Sequence, residues 1–131
     1  MLGVVMFPHG AQKVLGWFGG HGFARTMHAF TTQMHIPALF ALLAIVVEFC
    51  GSLGLIVGLL TRIAAFGIFC VMAVAIAMVH WHNGFFMNWA GRQAGEGFEY
   101  HVLVIAMCLA LMITGAGRGS LDRRLAGSPS S

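Results

Sequence analysis

The sequence predicts an all-α integral membrane protein, a four-helix bundle, and three observations carry that expectation. Only 8% of the residues are charged and 59% are hydrophobic, whereas a soluble domain of this size carries about a quarter charged residues. The mean hydropathy is +0.86. The longest apolar run, 36–60, covers the roughly 30 Å hydrocarbon core at a helical rise of about 1.5 Å per residue. Backbone groups in lipid must be satisfied within the segment, and a helix does this.

The first apolar segment, about 1–17, is interrupted by Pro8, which removes one amide donor and crowds the carbonyl of Val4, so a kink is expected. His9, Lys13 and Trp17 are spaced i, i+4, i+8 and share one face of a helix. The stretch 19–35 is rich in Gly, His and Thr. Phe18 just before it and Phe23, Met27 and Phe30 within it recur at near-helical spacing, as in an amphipathic segment lying on the membrane surface. His21, His28 and His35 fall on one side of it and read as a solvated polar face.

The second span is 36–60, with Glu48 its only ionisable group. A carboxylate near the bilayer midplane costs a few kcal/mol and faces a protein interior, a partner or water. Gly51, Gly54 and Gly58 form a stripe that lets another helix approach closely, and Glu48 lies about 60° from it on an ideal helix. The third span is about 63–82. Ala73, Ala77, His80 and Gly84 line one side of it, which predicts that His80 sits on a small-residue packing face. The loop that follows is aromatic and glycine-rich, with Phe85, Phe86 and Trp89 placed as interfacial anchors. The fourth span is about 98–116. Glu99, Ala106, Ala110 and Ile113 make its small-residue stripe, with His101 turned away.

One domain of 1–116 is therefore expected, followed by a polar cytoplasmic tail, 117–131. Arg62, Arg118, Arg123 and Arg124 fall on one side of a four-span topology, against Arg25, Arg92 and Lys13 on the other. The positive-inside rule then places both termini in the cytoplasm of a bacterial or archaeal cell, with the protein in its cytoplasmic membrane. The net charge of +3 is too small and scattered for nucleic acid. Three cysteines, one in each of three apolar runs, read as small buried hydrophobes rather than a disulfide framework. The opening MLGVVMF has neither the basic region nor the cleavage site of a signal peptide.

In this topology His9, Lys13, His80 and Glu99 fall in the outer half of their spans, and Glu48 at the bottom of that half. Polar groups from four helices thus share one layer, expected to form a pocket open to the outer face. Trp17, Phe85 and Phe86 are the candidate lining residues.

The segments HGAQKVLGWFGG (9–20), EFCGSLGLIVGLLTRIAA (48–65), VHWHNGFF (79–86) and EYHVLVIAMCLALMITGAGRGSLD (99–122), in this order and spacing, resemble the DoxX family of small four-helix membrane proteins. The family takes its name from the small subunit of an archaeal thiosulfate:quinone oxidoreductase, and other members are linked to membrane complexes that handle thiol or oxidative stress. The resemblance implies a membrane bundle associated with quinone or redox chemistry and no catalytic residue list.

Four functions are open to the layer, and the weakest is a proton or small-solute pathway, since four spans without an inverted repeat make a poor transporter unless the protein oligomerises. A subunit of a membrane oxidoreductase would use His9 and His80 as donors and proton exchangers to a quinone, with Glu48 and Glu99 as relays and Lys13 as a partner. The chain has no dinucleotide fingerprint, haem-attachment motif or cluster-binding cysteine series, so this function needs a partner subunit carrying electrons. A non-catalytic assembly subunit would use the same groups as a buried structural network. A membrane metal-binding protein would draw on His9, Glu48, His80 and Glu99. The bilayer is the expected surrounding in each case, and the G-x-x-x-G stripe also suits homo-oligomer contacts.

Overall fold

The structure, a computed structural model, describes residues 1–127; the last part of the expected tail, 128–131, lies outside the described residues. Helix is the only regular structure among them. α1 is Leu2–Val14 and passes through Pro8 without ending. It stops before Trp17, at a turn containing Gly16 with φ +72°, so Trp17 does not extend the face of His9 and Lys13. α2, Gly22–His28, runs into a π-turn over Ala29–Gln33. His21, His28 and His35 are all exposed, as a solvated face requires.

α3, Ala38–Val57, begins directly after Pro37, where a missing amide has no cost. It ends at Gly58, whose φ of +71° is the left-handed conformation that a glycine adopts without steric penalty. α4 is Thr61–Ala75 and continues through a π-turn, Ile76–His80, and a 3-10 turn, Trp81–Asn83. α5 is Glu99–Thr114. α6, Leu121–Ala126, is a short helix capped by Ser120, whose hydroxyl accepts from the Arg123 amide at 3.2 Å.

Successive long helices pack side by side, α1 on α3, α3 on α4 and α4 on α5. The core closes the arrangement. Leu2 and Met6 of α1, Ala65, Ile68 and Met72 of α4, and Val104 and Cys108 of α5 form one buried cluster. α3 contributes Ala41, Ile45, Glu48 and Ser52, all buried and spaced i, i+4, i+7, i+11. α1 lies close against α3 because of its own glycines. A Cβ on Gly10 would stand 2.7 Å from the Cα of Phe49 and 2.8 Å from its amide nitrogen.

Two helices are long and apolar enough to cross a membrane, Ala38–Val57 with 20 residues and Thr61–Asn83 with 23. α1 and α5 are shorter than the expected spans, at 13 and 16 residues, or about 20 and 24 Å.

Three register expectations are corrected. On α3, Gly51 and Gly54 do face α4, in contact with Ile68 and Ala64, but Gly58 serves as the helix terminator. On α4, Ala73 and Ala77 are exposed, and the buried side is Thr61, Ala65, Ile68 and Met72. On α5, Ala106, Ala110 and Ile113 are exposed, and the inward side is His101, Val104 and Cys108. The expected polar tail is also ordered over its first part. Asp122 accepts from the amides of Leu60 at 2.6 Å and Thr61 at 2.8 Å, and its own amide donates to the Gly58 carbonyl at 2.8 Å.

Candidate functional site

Glu48 is 3% exposed in the middle of α3 and forms an ion pair with Lys13 of α1. The local sequence explains the geometry. The side chain falls on the same face as Ala41, Ile45 and Ser52, and Gly10 brings the α1 backbone against Glu48 and Phe49. Lys13, one turn further along α1, then reaches the carboxylate. Its ammonium also lies 5.9 Å from the centre of the Phe30 ring, within cation–π range. A lone buried carboxylate is strongly disfavoured, and pairing it is what makes its burial tolerable.

His9 lies at the edge of this pair. It is exposed, with its ring 5.9 Å from that of Tyr100 on α5. Tyr100 directs its hydroxyl to the sulfur of Met6, at 3.5 Å, and its ring is 5.7 Å from that of His101. His101 is buried and was expected to turn away from the layer; instead its ring is 4.1 Å from that of His80.

His80 reaches the layer by a route the spacing did not reveal. The buried positions of α4 step by 4, 3 and 4 residues from Thr61 to Met72 and would continue to Val79 on a regular helix. The π-turn accommodates one extra residue, closing a bond from the Trp81 amide to the Ile76 carbonyl. The inward face therefore moves on to His80, which is half-buried, while Val79 is 39% exposed. Such π-turns inside helices recur at functional sites.

Glu99 stands apart from the other candidates. It opens α5, where a carboxylate complements the helix N-terminus, and accepts from the Met87 amide at 3.3 Å. It organises the loop rather than the buried pair. The same loop is tied to α4 by His80, whose Nδ1 is 2.8 Å from the Glu96 carbonyl, and by Asn83, which donates to that carbonyl at 3.1 Å. Phe98 stacks on Trp81 at 5.6 Å.

The expected lining residues are not gathered around the layer. Trp17, Phe85 and Phe86 are 53%, 46% and 67% exposed. Trp17 packs edge-on against Phe18, and Phe85 lies between Phe86 and Phe98. The best-formed cleft, about 480 Å³, is at the opposite end of the bundle, among Leu2, Leu55, Gly58, Leu111 and Ser120. It is distant from the ionisable layer and lined mainly by apolar groups. The four-ligand metal set of His9, Glu48, His80 and Glu99 is not assembled either: among the described residues no three of His, Cys, Asp or Glu converge as a metal site.

The fold and site together define an all-helical protein with apolar helices packed around a buried ion pair and a histidine pair. A family model for DoxX matches residues 1–81, and the chain belongs to the DoxX family. The matched stretch includes His9, Lys13, Glu48 and His80 and stops short of α5. No curated protein and no solved structure matches the chain.

Proposed function

We propose that this chain is a four-helix subunit of a membrane redox system, whose buried polar layer handles the protons of a quinone-class ligand. One observation carries the reading: a fully buried carboxylate halfway along an apolar helix, held by a lysine of the neighbouring helix. Groups this costly inside a membrane mark ion and proton routes. DoxX membership adds a general link with membrane redox function. Electrons come from or go to a partner oxidoreductase subunit, because the chain has no motif for a redox cofactor of its own. In the bilayer the arginine-bearing end, with Arg62, Arg118, Arg123 and Arg124, lies on the cytoplasmic side, and the loop between α4 and α5 lies outside.

The test is quinone retention by protein purified from its native membrane and held in lipid nanodiscs. Wild type retains quinone, while Glu48→Gln and His80→Ala lose most of it. Equal retention by all three removes the layer as the site. Co-purification of an oxidoreductase supports the subunit role.

The tight packing around Glu48 favours a second reading, in which the layer is structural and the chain is an assembly subunit. Under that reading Glu48→Gln lowers stability and leaves both quinone content and partner binding unchanged.

A further inference from the structure

His101 has chemistry that packing alone does not require. It is 8% exposed on the inward face of α5, and its Nδ1 has no hydrogen-bond partner. Buried polar atoms are ordinarily paired, and an exception of this kind calls for a reason. The rings against it are those of His80, from the end of α4, and its neighbour Tyr100, and the charges of His9 and Lys13 on α1 act on it more weakly. Glu48 is held by Lys13, one turn of α1 beyond His9.

A row of titratable groups results. The Lys13/Glu48 pair begins it, the exposed His9 and half-buried Tyr100 follow, and His101 and His80 come next, with rings 4.1 Å apart. The row ends where the Nδ1 of His80 meets the Glu96 carbonyl, in an exposed loop. Without the π-turn in α4 this row would be broken at His80.

We propose that His101 and His80 are the acid–base pair through which the buried layer exchanges protons with the loop surface. The unpartnered Nδ1 of His101 is the atom that meets the ligand's oxygen, a clause that rests on the quinone-class reading above. Each passage moves one proton and no electrons. An O–H bond of a quinol-type hydroxyl breaks and leaves its oxygen as the anion; an N–H bond forms at Nδ1 of His101, the N–H on its other nitrogen breaks as that proton passes to His80, and His80 releases one proton to water at the Glu96 end. Imidazole suits this relay because its two nitrogens serve opposite sides, one taking a proton while the other gives one up.

The experiment uses the full chain, labelled with ¹⁵N-histidine, in phospholipid nanodiscs. Imidazole signals are followed with pH and assigned through His101→Gln and His80→Gln. His101 is expected to titrate in wild type and to exchange protons about tenfold more slowly in His80→Phe. If that variant fails to fold, His80→Gln, which keeps a donor for the Glu96 carbonyl and cannot titrate, replaces it. Unchanged exchange in the His80 variants, or a His101 that never titrates, overturns the proton path.

A second arm measures binding of a short-chain benzoquinone. Wild type binds with a pH-dependent affinity; His101→Phe binds about tenfold more weakly and loses that dependence. Equal binding with equal pH profiles overturns the ligand contact at His101. If wild type binds no quinone while the exchange arm behaves as expected, the quinone-class reading fails and the proton path stands.

Discussion

Glu48 and Asp122 are both carboxylates that hold one part of the chain to another, and they do so in opposite ways. Asp122 sits at the surface and accepts from the two amides that begin α4, those of Leu60 and Thr61. Those amides need a partner at a helix start, and Leu60 is held at φ +50°, a conformation unfavourable for a branched residue. The carboxylate is used for what a helix cap does, with little desolvation. Glu48 is buried against one lysine that is itself 27% exposed. A well-packed apolar pair would stabilise the α1/α3 contact equally well or better. The difference teaches which end of the bundle is constructed for stability and which carries a cost consistent with chemistry.

The largest effect should come from stranding the buried charge. Lys13→Met leaves Glu48 unpaired and is expected to cost roughly 3–5 kcal/mol in SDS unfolding followed by helical circular dichroism. Lys13→Met combined with Glu48→Leu should recover most of that loss, because the desolvated charge is gone. If the double variant is as unstable as the single one, the pair is a net stabiliser and the contrast with Asp122 disappears. If it regains stability and loses quinone retention, the contrast is sharpened.

Next in size is the contact beneath the pair. Gly10→Ala directs a methyl at the backbone of Phe49, 2.7 Å from its Cα, and backbone cannot move aside as a flexible side chain does. α1 must shift outward, at a cost of about 1–3 kcal/mol. The shift also withdraws Lys13 from Glu48, so quinone retention should fall together with stability. Unchanged stability would mean that α1 does not lie as close to α3 as the geometry indicates.

A smaller effect belongs to Asp122, and its sign follows from the cap. The Thr61 amide holds the carboxyl below its usual range, against a lesser opposing effect of desolvation, with help from the Leu60 amide. The Thr61 hydroxyl is near enough to add to this without meeting hydrogen-bond geometry. A depressed value in the folded state means that the cap's contribution is complete above the unfolded carboxyl value of about 4 and is lost as pH falls through the lower, folded one. The difference in Tm between wild type and Asp122→Asn should therefore be constant near neutrality and close below about pH 4. A difference that persists unchanged into strong acid would show that the carboxylate's charge is not what the cap uses.

These contrasts also explain what was legible in the sequence. Helix positions followed from apolar runs, and the inward direction of Glu48 followed from the cost of exposing it to lipid. His101 did not follow, because α5 is apolar on every side. Where Ala106 and Ile113 are as hydrophobic as Val104 and Cys108, periodicity has no contrast to report. The spacing His101, Val104, Cys108 was available as an alternative stripe, and only an unpaired imidazole at its head distinguished it. His80 was placed inward for the wrong reason, since a π-turn leaves no mark in composition. Asp122 lies 62 residues from the amide it caps, and a tertiary cap of that reach has no local signature.

The smallest expected effect tests this α5 register directly. Ala106 and Ile113 are on the outer surface, Ile113 78% exposed, whereas Cys108 is fully buried among Leu2, Met6, Ala65 and Ile68. Ala106→Leu and Ile113→Ala should each change unfolding by no more than about 0.5 kcal/mol. Cys108→Leu forces extra volume into a filled core and should cost about 1–3 kcal/mol. The outcome bears on the site as well as on packing, since α5 is a rigid helix and its rotation is shared by every side chain on it. A large loss at Ala106 with none at Cys108 would turn α5 about its axis, carrying His101 away from His80 and returning Glu99 to the inward face.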